Sequence, residues 1–407
     1  MKQKKLILLT SEFPFGKGET FLETEITFLS EAFEQILIYS CATSTEVKRD
    51  LPANVDCKLF SSQLTKRDKL FSLVGLFSKD VRSEKKRVTE VYKREWTKGI
   101  RNTALVSIFV GNRWKKVLEK EMLNSSGFDL TFYSYWCTDT AIGLSLLRKA
   151  YPSVKAFSRV HRWDLYFEAT TFDYQPYRDL IAKNLTGLFP ISDMGARYIK
   201  DEWKVQPNSI HVSRLGTRET IQSQSKPNKN ILVSCSNVVP LKRVELIAES
   251  LNFVDGIELE WFHFGDGLAY SKLEKRTEEL NGGRIKVHLM GSKENREVLA
   301  WFELNSPSLF VNVSTTEGIP VSIMEAMSFG TPVFATNVGG TSEIVTNENG
   351  RLLDPHITAQ ELGKMIQSFF LMQYEDRSEM RRKAFETWNT KYNASTNYTA
   401  FVQEILR

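Results

Sequence analysis

A chain of 407 residues exceeds what one hydrophobic core usually supports, so two domains of roughly 200 residues each are expected. Its 42% hydrophobic and 25% charged residues are those of a folded globular protein, which argues against disordered and fibrous classes. The net charge of +5, from 54 basic and 49 acidic residues, is too mild to demand nucleic acid, yet permits attraction to an anionic surface or a phosphorylated substrate.

The chain opens with MKQKKLILLTSEFPFGKGETF, whose short apolar run meets Ser11 and Glu12 and therefore reads as a first strand rather than a secretion signal. Gly16 and Gly18 follow that strand, where glycine allows a tight turn and close backbone approach to a ligand. Taken alone the segment is a turn, because it lacks both the Walker spacing and a full Gly-x-Gly-x-x-Gly. Further candidate strands of the first half are QILIYSCA, LTFYSYW, VKAFSRV, TGLFPIS and SIHVSRLG, separated by helical patterns. The alternation is that of a parallel sheet wound by crossover helices.

Between residues 61 and 122 the strand rhythm breaks, and residues 79–116 hold twelve Lys or Arg against four Asp or Glu. Val88, Tyr92, Trp96 and Ile100 recur every fourth position, giving one apolar stripe on a basic helix. Two readings stay open: the stripe packs on the first domain with its lysines solvated, or the helix lies on anionic lipid headgroups. His161 closes VKAFSRV and stands at a strand's carboxyl end, as a structural histidine or as a site residue.

The polar, proline-containing stretch TRETIQSQSKPNKN, residues 217–230, reads as an interdomain linker. It sets expected domains of 1–217 and 218–407, the first carrying the basic helical insertion. Beyond it the strands NILVSCS, LEWFHFG, IKVHLMG, LFVNVS and TPVFAT repeat the α/β rhythm, and the closing segment ends in a helix expected to dock back toward the first domain. Cys41, Cys57, Cys137 and Cys235 show no Cys-x-x-Cys spacing, which argues against a zinc site and a disulfide framework and suits a reducing cytoplasm. No stretch approaches the roughly 20 apolar residues of a membrane-spanning helix, so any membrane contact would be peripheral.

The segment VNVSTTEGIPVSIMEAMSFGTPV, residues 311–333, holds two carboxylates eight positions apart. LFVNVS reads as a buried strand, Pro320 as the first position of a helix, and Gly330 as its end. Glu317 then lies in the loop and Glu325 on the helix, next to unpaired N–H groups that suit an anion. Alternatively Glu325 only answers the helix dipole and Glu317 is solvated.

The surroundings of this pair resemble the retaining GT-B glycosyltransferases of family 4. Glu317, Gly318, Ile319, Pro320, Glu325, Ala326, Gly330, Pro332 and Val333 match the family's Glu-x7-Glu setting. Gly339, Gly340, Glu343, Asn349 and Gly350 match its continuation. FPFGKGETF, FYSYW, SRVHRWDLY, FPISDMG, RLG, SNVVPLKRVELIAE and FGDG fall in the family's order across nearly the whole chain.

The resemblance implies a GT-B fold, two Rossmann-like domains facing across a cleft. It also implies transfer of a hexosyl group, with retention, from a nucleotide-diphosphate sugar to a hydroxyl of a glycan or lipid-linked saccharide. By that resemblance Glu325 holds the nucleotide ribose, Glu317 contacts the donor hexose, and the backbone of Gly318, Ile319, Pro320 and Val321 surrounds the sugar and diphosphate. Lys242 stabilises the leaving diphosphate, and because Asn237 stands where many members carry arginine, either Arg243 supplies the second cation or the site has only one. Gly291 and Ser292, in MGSKEN, lie where the base, UDP's in the commonest case, is read. Gly16 and Gly18 face the acceptor and donor phosphates, with Glu19 beginning the next helix. His161 contacts donor sugar or acceptor, and Asp164 orients it or binds acceptor hydroxyls.

No Asp-x-Asp occurs, so metal independence, with no cofactor beyond the sugar nucleotide, is expected. The expected setting is cytoplasmic, peripheral on the inner membrane face if lipid is bound, in cell-envelope or exopolysaccharide synthesis. Two alternatives remain: a nonhydrolysing nucleotide-sugar epimerase, and a catalytically silent nucleotide-sugar or glycan-binding subunit.

Overall fold

The structure is a computed structural model describing residues 2–16, 18–46, 48–61, 63–72, 75–76, 78–219, 229–278, 280 and 283–407. Of the expected linker, residues 220–228 lie outside the described residues. Twelve strands are described: β1 (Lys4–Thr10), β2 (Gln35–Ser40), β3 (Val55–Leu59), β4 (Asp129–Ser134), β5 (Lys155–Val160), β6 (Gly187–Pro190), β7 (Ile231–Cys235), β8 (Leu259–Phe264), β9 (Ile285–Leu289), β10 (Leu309–Asn312), β11 (Val333–Thr336) and β12 (Gly350–Leu353). Helices that matter to the site are α1 (Leu22–Ala32), α2 (Lys98–Asn124), α3 (Arg162–Leu165), α4 (Val244–Leu251), α5 (Asn295–Asn305), α6 (Val321–Ser328) and α7 (Ala394–Leu406).

The strands form two six-stranded sheets, ordered β3-β2-β1-β4-β5-β6 and β12-β11-β10-β7-β8-β9, and their pairings are parallel. Both are the doubly wound order in which the chain winds outward one way and then the other from a central pair. The chain therefore carries two Rossmann-like domains. It divides into one compact unit of Met1–Leu215 with Asn397–Arg407 and a second of Gly216–Thr396. Residues 397–407, placed with the second domain in the sequence reading, thus belong to the first unit.

Burial on both sheet faces explains why the central strands read as unbroken apolar runs. In β1, Ile7 and Leu9 join one hydrophobic cluster while Leu6 and Leu8 join the cluster on the opposite face. The expected strand SIHVSRLG is not a full strand. Residues 209–213 run beside β6 through Leu188 N–H to the Ser209 carbonyl (3.0 Å), His211 N–H to the Leu188 carbonyl (3.0 Å) and Ser213 N–H to the Pro190 carbonyl (2.9 Å).

The basic insertion is not one continuous helix. A helix over Lys79–Lys86 runs on through a π-helical turn, Arg87–Val91, and the chain then breaks before α2, with Lys93 at φ 55. Val88 and Ile100 are buried in the first unit's core, with Tyr92 and Trp96 packed against it, so the apolar stripe faces protein. Part of the positive charge is also used internally: Arg87 donates to the Trp203 carbonyl (2.7 Å) and pairs with Asp179 (3.1 Å), and Arg94 lies over the Phe167 ring. A headgroup-binding face cannot be built from this stripe.

A buried ion pair ties the first unit together. Arg159 of β5 meets Glu25 of α1 at 3.0 Å, both side chains fully buried. The Tyr133 hydroxyl of β4 donates to Glu25 (2.9 Å) and accepts from Arg159 Nε (2.8 Å). Arg159 also donates to the Ser213 carbonyl (2.8 Å), and its guanidinium lies 4.5 Å from the Phe401 ring of α7. Removing one partner of such a pair leaves an uncompensated buried charge, which costs about 3–5 kcal/mol. Arg159→Met should therefore lower unfolding stability by roughly that amount, and adding Glu25→Gln should restore much of it. A urea denaturation series that finds the single variant as stable as the wild type would contradict this.

Candidate active site

After β7 the chain turns at Pro240–Lys242, a single 3-10 turn. Arg243 follows with φ 49 and ψ 35, a left-handed conformation that glycine adopts most readily. The Arg243 guanidinium donates through Nε to the Val313 carbonyl (2.7 Å), and Thr315 N–H donates to the Leu241 carbonyl (2.8 Å). These bonds fasten the loop after β7 to the loop after β10. They lie where β7 and β10 are neighbours and the winding direction reverses, the place where such a sheet leaves a crevice at its carboxyl end.

In that crevice the Lys242 ammonium bonds directly to the Glu317 carboxylate, with the two side chains 22% and 12% exposed. Asn312 Nδ2 donates to the same carboxylate oxygen (3.4 Å), and its own Oδ1 accepts Ser314 N–H (3.0 Å). Gly339, with φ 53, lets the loop after β11 pass so close that a Cβ there would lie 1.9 Å from the Glu317 carbonyl. Gly340 N–H then donates to the Gly318 carbonyl (2.9 Å), so one side of the Gly318–Val321 backbone is occupied by protein.

Pro320 is the N-cap of α6, one position earlier than the sequence reading placed it, with φ −67 and ψ 126. Its carbonyl accepts Ile323 N–H (3.2 Å), and no side chain caps the helix. The opening amides of Val321 and Ser322 have no carbonyl within the helix to bond, which leaves them as donors for an anion. The helix ends as expected: Gly330 N–H bonds the Met327 carbonyl (2.9 Å) and Thr331 N–H the Ala326 carbonyl (3.0 Å), a Schellman closure with Gly330 at φ 66.

Glu325 is half-buried one turn further along α6 and accepts one hydrogen bond, from Asn295 Nδ2 at 2.7 Å. Burial pushes its carboxyl up to about 7, against which the Asn295 bond works. Cys235, ending β7, is near enough that the Glu325 charge adds to burial in raising its thiol to about 12. Gly291, at φ 66, is joined to the loop after β8 by Gly265 N–H to its carbonyl (2.9 Å), while Ser292 and Asn237 are exposed. Lys242 and Glu317 are thus in contact, and Glu325 stands on the next turn with a partner from the start of α5, the helix that follows Gly291 and Ser292.

In the first unit the glycine loop is closed by carboxylates. Glu19 does not begin the next helix, which starts at Leu22; it has φ 55 and folds back. Its carboxylate accepts Ser11 N–H (2.9 Å), Glu12 N–H (2.7 Å), Phe13 N–H (2.6 Å) and Trp136 Nε1–H (2.6 Å). Arg49 donates to the carbonyls of Gly16 (3.1 Å) and Gly18 (2.7 Å).

His161 lies between the rings of Tyr135 and Trp136, centroids 4.7 and 4.5 Å away, and both its ring nitrogens are buried. Burial first and the Arg159 charge second hold its pKa well below the usual histidine value, so the ring is neutral. Asp164 does not orient that ring, because its nearest oxygen is 4.0 Å from Nδ1. Its oxygens instead accept the backbone N–H of His161 (2.6 Å) and of Cys137 (2.5 Å), and at 1% exposure it has no access to an acceptor hydroxyl. The buried Arg178 adds bonds to the carbonyls of Cys137 and Asp164, both 2.7 Å. Asp164 and Arg178 therefore brace the main chain beneath His161.

Among the described residues no group of three or more His, Cys, Asp and Glu side chains could hold a metal ion. No described helix is long and apolar enough to cross a membrane.

Residues 217–387 match the family model for glycosyl transferases group 1. That match falls within the second unit. The match contains Asn237, Lys242, Arg243, Gly291, Ser292, the segment Gly318–Val321, and both Glu317 and Glu325. Among curated proteins the chain is 25% identical over 243 residues to a putative colanic acid biosynthesis glycosyltransferase, WcaL, of Salmonella typhimurium, covering 57% of this chain and 59% of that one. It is 27% identical over 204 residues to a putative teichuronic acid biosynthesis glycosyltransferase, TuaC, of Bacillus subtilis, covering 48% of each. The chain thus spans less than two thirds of either relative. Anabaena HepE, solved in complex with UDP, shares the fold at a TM-score of 0.66 with 16% identity, covering 99% of each chain.

Asn295 and Asn312 escaped the sequence reading. Asn295 sits inside MGSKEN, but its bond to a residue thirty positions away leaves no local trace.

The Glu325 carboxyl carries a stability signature of the second unit. Between its ordinary value of 4.5 and about 7, the folded chain keeps a proton that the unfolded chain has released. Stability from this group is therefore fully present below the lower value and is lost as pH rises to the upper one. Glu325→Gln removes the penalty and keeps an acceptor for Asn295. The variant should gain on the wild type by on the order of 2 kcal/mol between pH 5 and pH 8. Chemical denaturation at both pH values reads this directly, and parallel pH profiles would refute it.

Proposed function

We propose that the chain is a retaining glycosyltransferase that moves a hexosyl group from a nucleoside-diphosphate sugar, a UDP-sugar, to a hydroxyl of a glycan or lipid-linked saccharide in cell-envelope or exopolysaccharide synthesis. The carrying observation is the contact of Lys242 with Glu317 beside the uncapped start of α6, within the group 1 domain. The polysaccharide names of the WcaL and TuaC relatives support the acceptor class, and the UDP in the HepE structure supports the donor base.

In this reading the diphosphate takes the Lys242 ammonium and the Val321 and Ser322 amides, and Glu317 turns to the hexose hydroxyls. A fixed cation and helix-end amides oppose the charge that builds on the leaving group, as a metal does in other transferases. The anomeric carbon's bond to the phosphate oxygen breaks, the acceptor oxygen bonds to that carbon on the same face, and the acceptor's proton passes to the departing diphosphate. Glu325 accepts from the ribose hydroxyls, and Gly291 and Ser292 border the base. On the first unit, the neutral His161 ring at the carboxyl end of β5 is the proposed contact for donor sugar or acceptor. The proposed setting is the cytoplasm.

A thermal-shift panel of nucleotide sugars identifies the donor, after which turnover is followed with and without acceptor. Lys242→Ala should reduce donor turnover by about 10²-fold or more. An unchanged rate would overturn the Lys242 assignment. Isomerised donor without acceptor would favour the epimerase instead, and heat protection by nucleotide without any product would favour the binding subunit.

A further inference from the structure

We infer that Asn295 is a positioning residue for nucleotide recognition: its side-chain amide fixes the Glu325 carboxylate in the orientation that receives the ribose hydroxyls. The inference rests on the reading that Glu325 binds the ribose, and goes beyond it by naming what holds the carboxylate.

Three observations carry it. Asn295 Nδ2 donates to Glu325 Oε1 at 2.7 Å, and it is the one hydrogen-bond donor that the Glu325 side chain meets among the described residues. Asn295 is not needed to start its own helix. That task falls to Glu294 and Glu297, since Glu297 N–H donates to the Glu294 carbonyl (2.9 Å) and the Glu297 carboxylate accepts Glu294 N–H (3.0 Å). Finally, the pair bridges two helices, because Asn295 opens α5 at the end of the loop that carries Gly291 and Ser292 while Glu325 belongs to α6.

A carboxylate has about four lone-pair sites, so one amide bond leaves room for both hydroxyls of a cis-diol. What the bond removes is rotation. A glutamate side chain that is free to turn loses rotamer entropy on binding, whereas one already held loses less. The amide also favours the ionised form, the better acceptor of hydroxyl hydrogens. Asparagine does both without adding charge, whereas aspartate would place a second carboxylate against the first.

The test measures affinity for UDP, 2′-deoxy-UDP and 3′-deoxy-UDP by calorimetry, with the ADP and GDP series in parallel so that a different base preference is seen. In the wild type the ribonucleotide should bind more tightly than either deoxy form. Asn295→Ala should weaken UDP by about tenfold and each deoxy form by less, since each keeps only one hydroxyl for the carboxylate, so that the preference shrinks. Asn295→Asp, matched in size but without the N–H, should lose it as well. In turnover assays the loss should fall on donor KM with kcat little changed. In a Glu325→Ala background Asn295→Ala should add nothing, since the amide acts through that carboxylate.

The two ways of failing separate cleanly. If Glu325→Ala itself keeps the full ribose preference, the ribose reading of Glu325 is wrong. If Glu325→Ala abolishes the preference but both Asn295 variants, folded by circular dichroism, retain it, the positioning role is overturned.

Discussion

Parallel strands cannot be joined by tight turns, so each pair in these sheets needs a crossover, and crossovers keep one handedness. A sheet that grows outward in both directions from a central pair must therefore send the loops of that pair apart. In the second unit the pair is β7 and β10, and the parted loops are those that carry Lys242 and Glu317. The position of the candidate site follows from this winding rule before any side chain is considered. The side chains then hold the parted loops in register, through Arg243 to Val313 and Thr315 to Leu241.

The same rule explains how much of the molecule could be read in advance. Central strands are buried on both faces and stand out as apolar runs, so β1, β2, β4, β5 and the core strands of the second sheet were legible. The edge strands β6 and β9 were legible too, as TGLFPIS and IKVHLMG, whereas β3 and β12 were not, because their VDCKL and GRLL are short, partly exposed and carry polar or glycine positions. The stripe Val88, Tyr92, Trp96 and Ile100 showed its apolar spacing but not the break that divides it between two helices, nor the core that receives it.

At the site, the contiguous segment holding Glu317 and Glu325 was readable because strand, loop and helix follow one another there. Pairings over long sequence distances were not, as with Asn295 to Glu325 or Trp136 to Glu19. Asp164 and Glu19 share a further lesson. Each is a carboxylate beside a suggestive neighbour, and each is consumed by main-chain N–H groups, which a loop must satisfy wherever water is excluded. The accessible carboxylates, Glu317 and Glu325, bond instead to side chains, and a ligand can replace or share such bonds without unravelling the backbone.

Helix α7 gives the first unit a peculiarity of timing. Its Phe401, Val402 and Ile405 fill the cluster around Tyr133, Phe157 and Phe189, yet the ribosome reaches them only after roughly 180 residues of another unit. At 5–20 residues per second, a nascent chain waits about 10–40 s between finishing the six strands of that sheet and receiving the helix that covers one of its faces. During that interval Arg159 and Tyr133 lack their aromatic cover, and an apolar surface stands open to chaperones or to its neighbours on the same messenger. Maturation of the half of the protein translated first is thus governed by a helix made after the other half is complete.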